Sequence, residues 1–168
     1  NGPWNRHDLN FACDVEMENV ISDKAIALKA GGVLNGVTIN DNNTSDTYAL
    51  WIQPNGQVVT LNSCTINMPA EDAGRGIKID EQYVDAPAKV TLNVSNATFN
   101  TVKKAAIMVK SEAGADITLS NVDITNTADS IHAVWVDEDS AAYSDKVNVI
   151  GGKKFSEADV ISSATGLN

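Results

Sequence analysis

The chain has 168 residues, 43% of them hydrophobic but only 5% aromatic, which suits one domain with a narrow aliphatic interior. Lys plus Arg is 12 against 22 for Asp plus Glu. The resulting net charge of −10 opposes nucleic-acid phosphates, anionic lipids and polyanionic substrates unless a basic patch or a bridging cation intervenes.

Residues Asn1 to Leu9 are polar and irregular. The abrupt start at Asn1-Gly2-Pro3-Trp4 shows no signal peptide and reads as a processed or truncated beginning, so compartment follows only from fold analogy. From Phe11 the pattern tightens into Val15-Glu16-Met17-Glu18-Asn19-Val20, a degenerate first coil over residues 11–22. Trp4 and Phe11 are expected to plug the open end of a stack, as atypical terminal repeats do. No stretch approaches the ~20 apolar residues of a membrane span.

A short block then recurs. It reads Ala25-Ile26-Ala27-Leu28-Lys29, Ala49-Leu50-Trp51-Ile52-Gln53, Gly76-Ile77-Lys78-Ile79-Asp80, Ala106-Ile107-Met108-Val109-Lys110 and Ala133-Val134-Trp135-Val136-Asp137. The starts fall 24, 27, 30 and 27 residues apart (25, 49, 76, 106, 133). Small, aliphatic, variable, aliphatic, polar is the alternation of a strand, with positions two and four inward. Such a period in a chain of strands predicts stacked coils.

A second block follows each copy: Leu34-Asn35-Gly36-Val37-Thr38-Ile39-Asn40, then the stretches from Leu61, Val94 and Leu119, and a weaker one at Ile150 to Ser156. Leu or Val ends one strand, Asn or Ser makes a bend, and the next strand begins. In register, Asn35, Asn62, Ser95 and Ser120 form a polar ladder. The strand before the bend reads Val59-Thr60-Leu61, Val90-Thr91-Leu92, Ile117-Thr118-Leu119 and Val147-Asn148-Val149. Each coil therefore has three strands, and the coils differ mainly in their loops. The expected organisation is one domain: a cap with a degenerate coil over 1–22, regular coils over 23–155 and a C-terminal cap over 156–168. Ser156 to Ser162 suits a short capping helix, with an imperfect strand as the alternative. Cys13 and Cys64 lack Cys-x-x-Cys or metal-ligand spacing. Cys64 falls at an inward position, and no disulfide is expected.

Three strands per coil, aliphatic inward positions and Asn-rich bends over residues 11–156 resemble the right-handed parallel β-helix of the pectin-lyase-like superfamily. Right-handed crossovers are also the general preference between parallel strands. The resemblance implies a secreted or cell-surface setting. It covers polysaccharide lyases, glycoside hydrolases, phage tail proteins and non-catalytic bacterial surface proteins. The glycosidase signatures are not matched. Asn126-Thr127-Ala128-Asp129 has an intruding residue, His132 is not flanked by glycines, and Arg75-Gly76-Ile77-Lys78 is not Arg-Ile-Lys. The lyase branch wants an Arg or Lys base beside acidic calcium ligands, and the arginines here are Arg6 and Arg75 alone.

The expected function is a non-catalytic bacterial surface or extracellular protein that binds a glycan or partner protein along its strand faces. A polysaccharide lyase or glycoside hydrolase of the same fold is the alternative, and a structural piece of a surface adhesin or phage fibre is another. The outward ladder Trp51, Lys78, Met108, Trp135 is the candidate ligand face, its indoles three coils or about 14 Å apart. Sugar rings stack on such indoles, whereas a loop folded over them makes the ladder structural. The next ladder runs Lys29, Gln53, Asp80, Lys110, Asp137. Asp80 and Asp137 have a separation of about 9–10 Å, which overlaps the inverting-glycosidase range, but alternating signs read more simply as relief of like-charge repulsion. Asp137, Glu138, Asp139 and Asp145 form the densest acidic loop. Calcium is the one cofactor it suggests, against a plain solvated loop.

Overall fold

The computed structural model describes residues 9–41, 48–68, 74–125, 132–137, 143–155 and 164–167. Their strands form three sheets, and the chain visits the sheets in rotation. The first sheet contains Leu9–Phe11, Ile26–Leu28, Tyr48–Ile52, Arg75–Asp80, Ala105–Lys110, His132–Val136 and Lys154–Phe155. The second contains Val15–Glu18, Gly32–Asn35, Val58–Asn62, Val90–Ser95, Ala115–Ser120 and Val147–Ile150. The third contains Ile21–Ser22, Thr38–Asn40, Thr65–Asn67, Thr98–Asn100, Val122–Thr125 and Ala164–Leu167. Every neighbouring pair is parallel except the last of the third sheet, so the fold is a parallel β-helix with three strands per coil.

The recurring block explains the interior. Ile26, Leu50, Ile77, Ile107 and Val134 stand in register, as do Leu28, Ile52, Ile79, Val109 and Val136. All belong to one buried cluster, as predicted. Fully burying one such side chain contributes about 1.5–3 kcal/mol, so a column of five dominates its sheet's stability. Val37, Cys64, Ala97 and Val122, and then Ile39, Ile66, Phe99 and Ile124, fill the side facing the third sheet. The small residue opening each block also has a packing reason. A Cβ on Gly76 would lie 2.5 Å from Phe99 Cδ1 and 2.6 Å from the Ala106 carbonyl. The corner is too narrow for a branched side chain where Phe99 already fills it. Burial pushes the Cys64 thiol up, and both cysteines are free, Cys13 on the surface.

The bend lies one residue later than the sequence suggests. Asn35, Asn62, Ser95 and Ser120 do align, but as the last residues of their strands. The left-handed residue is the next one: Asn19, Gly36, Ser63, Asn96 and Asn121, with φ of 53°, 61°, 54°, 51° and 52°. Asn and Gly tolerate this region best, which is why the corner is written in them. Gly36 has a further reason, since a Cβ there would sit 2.5 Å from Asn19 Oδ1.

Three other expectations are corrected. Leu92 and Val94, not Val90 and Leu92, align with Val59 and Leu61, a shift of two residues along the second sheet. The first coil begins at Leu9–Phe11, earlier than residue 11, because that strand pairs with Ile26–Leu28. The Ile150 to Ser156 stretch does not repeat the third-sheet block. Lys154–Phe155 joins the first sheet instead, and Ala164–Leu167 closes the third sheet antiparallel to Val122–Thr125. Phe11 packs on the core's edge as expected. Trp4 and the expected helix at residues 156–162 lie outside the described residues. Among the described residues no helix is long and apolar enough to cross a membrane.

Candidate functional site

The outer face of the first sheet carries every residue of the two predicted ladders. Trp51 pairs with Lys78, Lys78 with Met108 and Met108 with Trp135, so the line of side chains is as expected. Trp51 is 3% exposed, Met108 1% and Trp135 9%, so the candidate ligand strip is not open and the buried, structural alternative is the one found. The physical reason lies in the small residues of neighbouring strands. Trp51 packs with Ala25, Ala27 and Tyr48, and Trp135 with Ala105 and Met108. Alanines in adjacent coils leave room for an indole to pack against the sheet, and burying its large apolar surface is favourable.

A second outward column, which the sequence reading did not pick out, completes this layer. Tyr48, Arg75, Ala105 and His132 are in register, three residues upstream of Trp51, Lys78, Met108 and Trp135. The Tyr48 ring lies 5.6 Å from Trp51, tilted by 56°. The Lys78 ammonium sits 5.9 Å from the Tyr48 ring centre. His132 stacks on Trp135 at 5.8 Å, and the Arg75 guanidinium lies 5.9 Å from the Trp135 ring. Cation–π contact of this kind stabilises a charge taken from water. Arg75 thus serves the aromatic layer. The signal was present as Tyr and His three residues before Trp51 and Trp135, but strict strand alternation assigns residues three apart to opposite faces.

The acidic ladder is internally paired. The Lys78 ammonium is 2.7 Å from Asp80 Oδ2 in a pair with side chains 14% and 4% exposed. Asp80 Oδ1 accepts the Gln82 amide at 2.9 Å, so both carboxylate oxygens are engaged. Its backbone carbonyl accepts Trp51 Nε1 at 3.3 Å. Asp137 Oδ2 stands 3.9 Å from Lys110 Nζ. Lys78 and Asp80 lie on one strand, so of these two pairs only Lys110–Asp137 joins neighbouring coils, and no pair of neighbouring unpaired carboxylates is formed by Asp80 and Asp137. Of the candidate calcium ligands, Glu138 and Asp139 lie outside the described residues, and Asp145 is exposed on the short turn Tyr143–Lys146. Among the described residues no group of three or more His, Cys, Asp or Glu side chains is disposed to hold a metal.

The outer faces of the other two sheets are different. Thr38, Thr65 and Thr98 form one row of the third sheet and Asn40, Asn67 and Asn100 the next. The Asn67 amide donates to Asn40 Oδ1 at 2.8 Å, and Asn100 to Asn67 Oδ1 at 2.8 Å, while Asn40 donates to Asp23 at 3.1 Å. On the second sheet Thr60, Asn93 and Thr118 line up between Val33 and Ile150. Beside them the Lys89–Asp116 pair and the Asn148 amide hold the Asp116 carboxyl below the usual carboxylate range, the Asn148 hydrogen bond contributing most.

The segment from Glu81 to Lys89 joins the first sheet to the second and is firmly pinned. Glu81 N donates to the Lys110 carbonyl at 3.1 Å and Ala88 N to the Pro54 carbonyl at 2.9 Å. Val84 N donates to the Glu81 carbonyl at 2.8 Å, which closes a tight turn. Its third residue, Tyr83, has φ of +71° while Gln82 before it does not enter that region, the pattern of a type II turn. Glycine is the usual occupant, and a side chain there costs about 1–2 kcal/mol. Tyr83 is nonetheless 54% exposed.

Comparison with protein-family models, with curated proteins and with solved structures returns no match.

Proposed function

We propose that this protein is a non-catalytic β-helix module of a bacterial surface or extracellular protein, and that it binds a glycan or partner protein along its open strand faces. The observation that carries this reading is the set of three uncharged rows, one on the second sheet and two on the third. Hydroxyls and amides of Thr38, Thr65 and Thr98, of Asn40, Asn67 and Asn100, and of Thr60, Asn93 and Thr118 repeat in register. Coils about 4.8 Å apart make such rows a rigid, regularly spaced set of donors and acceptors. Single hydrogen bonds in water contribute little, but several made at once by one polymer chain reinforce each other. A linear chain of sugar residues supplies hydroxyls at a comparable repeat.

The pairing of Asp80 with Lys78 and of Asp137 with Lys110 supports the non-catalytic side of the reading. General acid and base pairs need two carboxyls converging on one point, and these two are each engaged by a lysine instead. The likeness to the pectin-lyase-like superfamily is taken here as one of architecture and setting, without its chemistry. The test is incubation with a panel of plant and bacterial polysaccharides, reading retardation in polysaccharide-loaded native gels alongside product release. Retardation by at least one polymer with no reducing ends or unsaturated products is the expected result. Released products would replace the proposal with an enzyme, and absence of retardation would remove the glycan.

A further inference from the structure

We infer that Tyr83, held out on the turn between the first and second sheets, is the anchoring aromatic for a neutral sugar ring, an inference that rests on the glycan-binding reading above. Three observations converge on it. The residue is 54% exposed, unlike Trp51 and Trp135 of the first sheet. Its backbone adopts φ of +71°, which a bulky residue avoids and glycine would accept without strain. The turn holding it does not yield. Gln82 N is bonded to Asp80 Oδ1 at 2.9 Å, the Gln82 carbonyl accepts Gln53 Nε2 at 3.4 Å, and Glu112 N donates to Glu81 Oε2 at 2.6 Å. The fold thus keeps an aromatic in a conformation that works against it, on a surface where it covers little of the core. Strain of this sort points from an observed outlier to a function.

The surroundings specify the ligand's chemistry. The Gln82 amide donates to Tyr83 Oη at 2.8 Å, which places an amide beside the phenol at the polar end of an apolar ring. A ring face for CH contacts with donors and acceptors at its edge suits a pyranose. Glu81, Asp85 and Glu112 near the turn repel uronates and sulfated sugars. Of the nearby carboxylates, Asp80 is paired with Lys78, Asp116 with Lys89 and Glu81 accepts a backbone amide, which leaves Asp85 and Glu112 to repel an anionic ligand. A neutral hexose polymer fits the ring and the amide beside it. The segment that carries Tyr83 continues through Lys89 into Val90–Ser95, whose Asn93 stands in the Thr60–Asn93–Thr118 row of the second sheet.

The experiment compares wild type, Tyr83→Gly and Tyr83→Phe in native gels loaded with neutral glucans, mannans or xylans, with polygalacturonate as the anionic arm, alongside thermal melts. Tyr83→Gly is expected to weaken binding of the retained neutral polymer at least about tenfold, with a melting temperature unchanged or raised as the turn relaxes. Tyr83→Phe keeps the ring and should retain most of the binding. Tyr83→Gly binding as tightly as wild type would overturn the inference and leave the strand-face reading standing. A lowered melting temperature in Tyr83→Gly would make Tyr83 a structural residue and overturn it equally. Retention of polygalacturonate alone would overturn the assigned chemistry. If wild type is retained by none of the polymers, the glycan reading fails and the inference falls with it.

Discussion

The outer face of the first sheet and the outer faces of the other two are built from the same coils, yet they meet water in opposite ways. On the first, Trp51, Met108, Trp135, Arg75 and His132 are buried, with Lys78 and Asp80 locked together among them. On the second, Val58, Thr118 and Ile150 stand in solvent. A β-helix sheet therefore has no inherent outside. Large side chains flanked by alanines form a second layer of packing. Threonines and asparagines flanked by their own kind remain a surface.

The largest expected effect tests whether the first sheet's outer layer is structural. Trp51→Ala, in a Trp4→Phe background, should lower unfolding free energy by about 3–5 kcal/mol in chemical denaturation, the range for a large aromatic removed from a packed site. The native indoles should emit blue-shifted and resist iodide quenching. A near-neutral Trp51→Ala with red-shifted, quenchable emission would restore the open indole strip.

Ile79→Ala probes the inner side of the same sheet. It should cost about 2–5 kcal/mol, because Ile79 is fully buried in the middle of its column. If the two substitutions cost similar amounts, inner and outer layers of the first sheet are equivalent in stability. A cost under half a kcal/mol for Ile79→Ala would refute the repeat alignment itself.

Asn67→Ala reaches the third sheet's outer rows and should cost less. It removes a link that donates to Asn40 and accepts from Asn100, worth about 0.5–1.5 kcal/mol for each hydrogen bond. A loss as large as that of Trp51→Ala would erase the distinction between the faces.

The smallest effect is the pH dependence at Asp116 on the second sheet. Its folded carboxyl titrates below the unfolded value of about 3.9, so it stabilises the fold above that pH and the contribution is lost as pH falls through the folded value. Asp116→Asn should flatten the acid limb of the melting curve slightly and leave neutral pH nearly unchanged, since the group is largely solvated. An unaltered acid limb would mean that Asn148 and Lys89 do not hold the carboxylate in solution.

The sequence by itself determined the coil. Alternation with period two is a local property of a strand, and the same inward positions recur at every turn, so Ile26 to Val136 were legible as two columns. The Asn-rich corner was legible to within one residue, because left-handed backbone leaves a mark in Asn, Ser and Gly. What lies outside the coil was decided only by tertiary contacts. Whether Trp51 is bare or covered depends on Ala25 and Ala27 one coil away and on how Tyr48 turns, none of which its own neighbours in sequence encode. Lys154–Phe155 moved to the first sheet although its stretch resembles a third-sheet repeat, since edge pairing outweighs a weak pattern. Tyr83 carries no local sign of its φ. Contacts from Gln53, Lys110 and Glu112, distant in sequence and adjacent in the stack, hold the turn that puts it there.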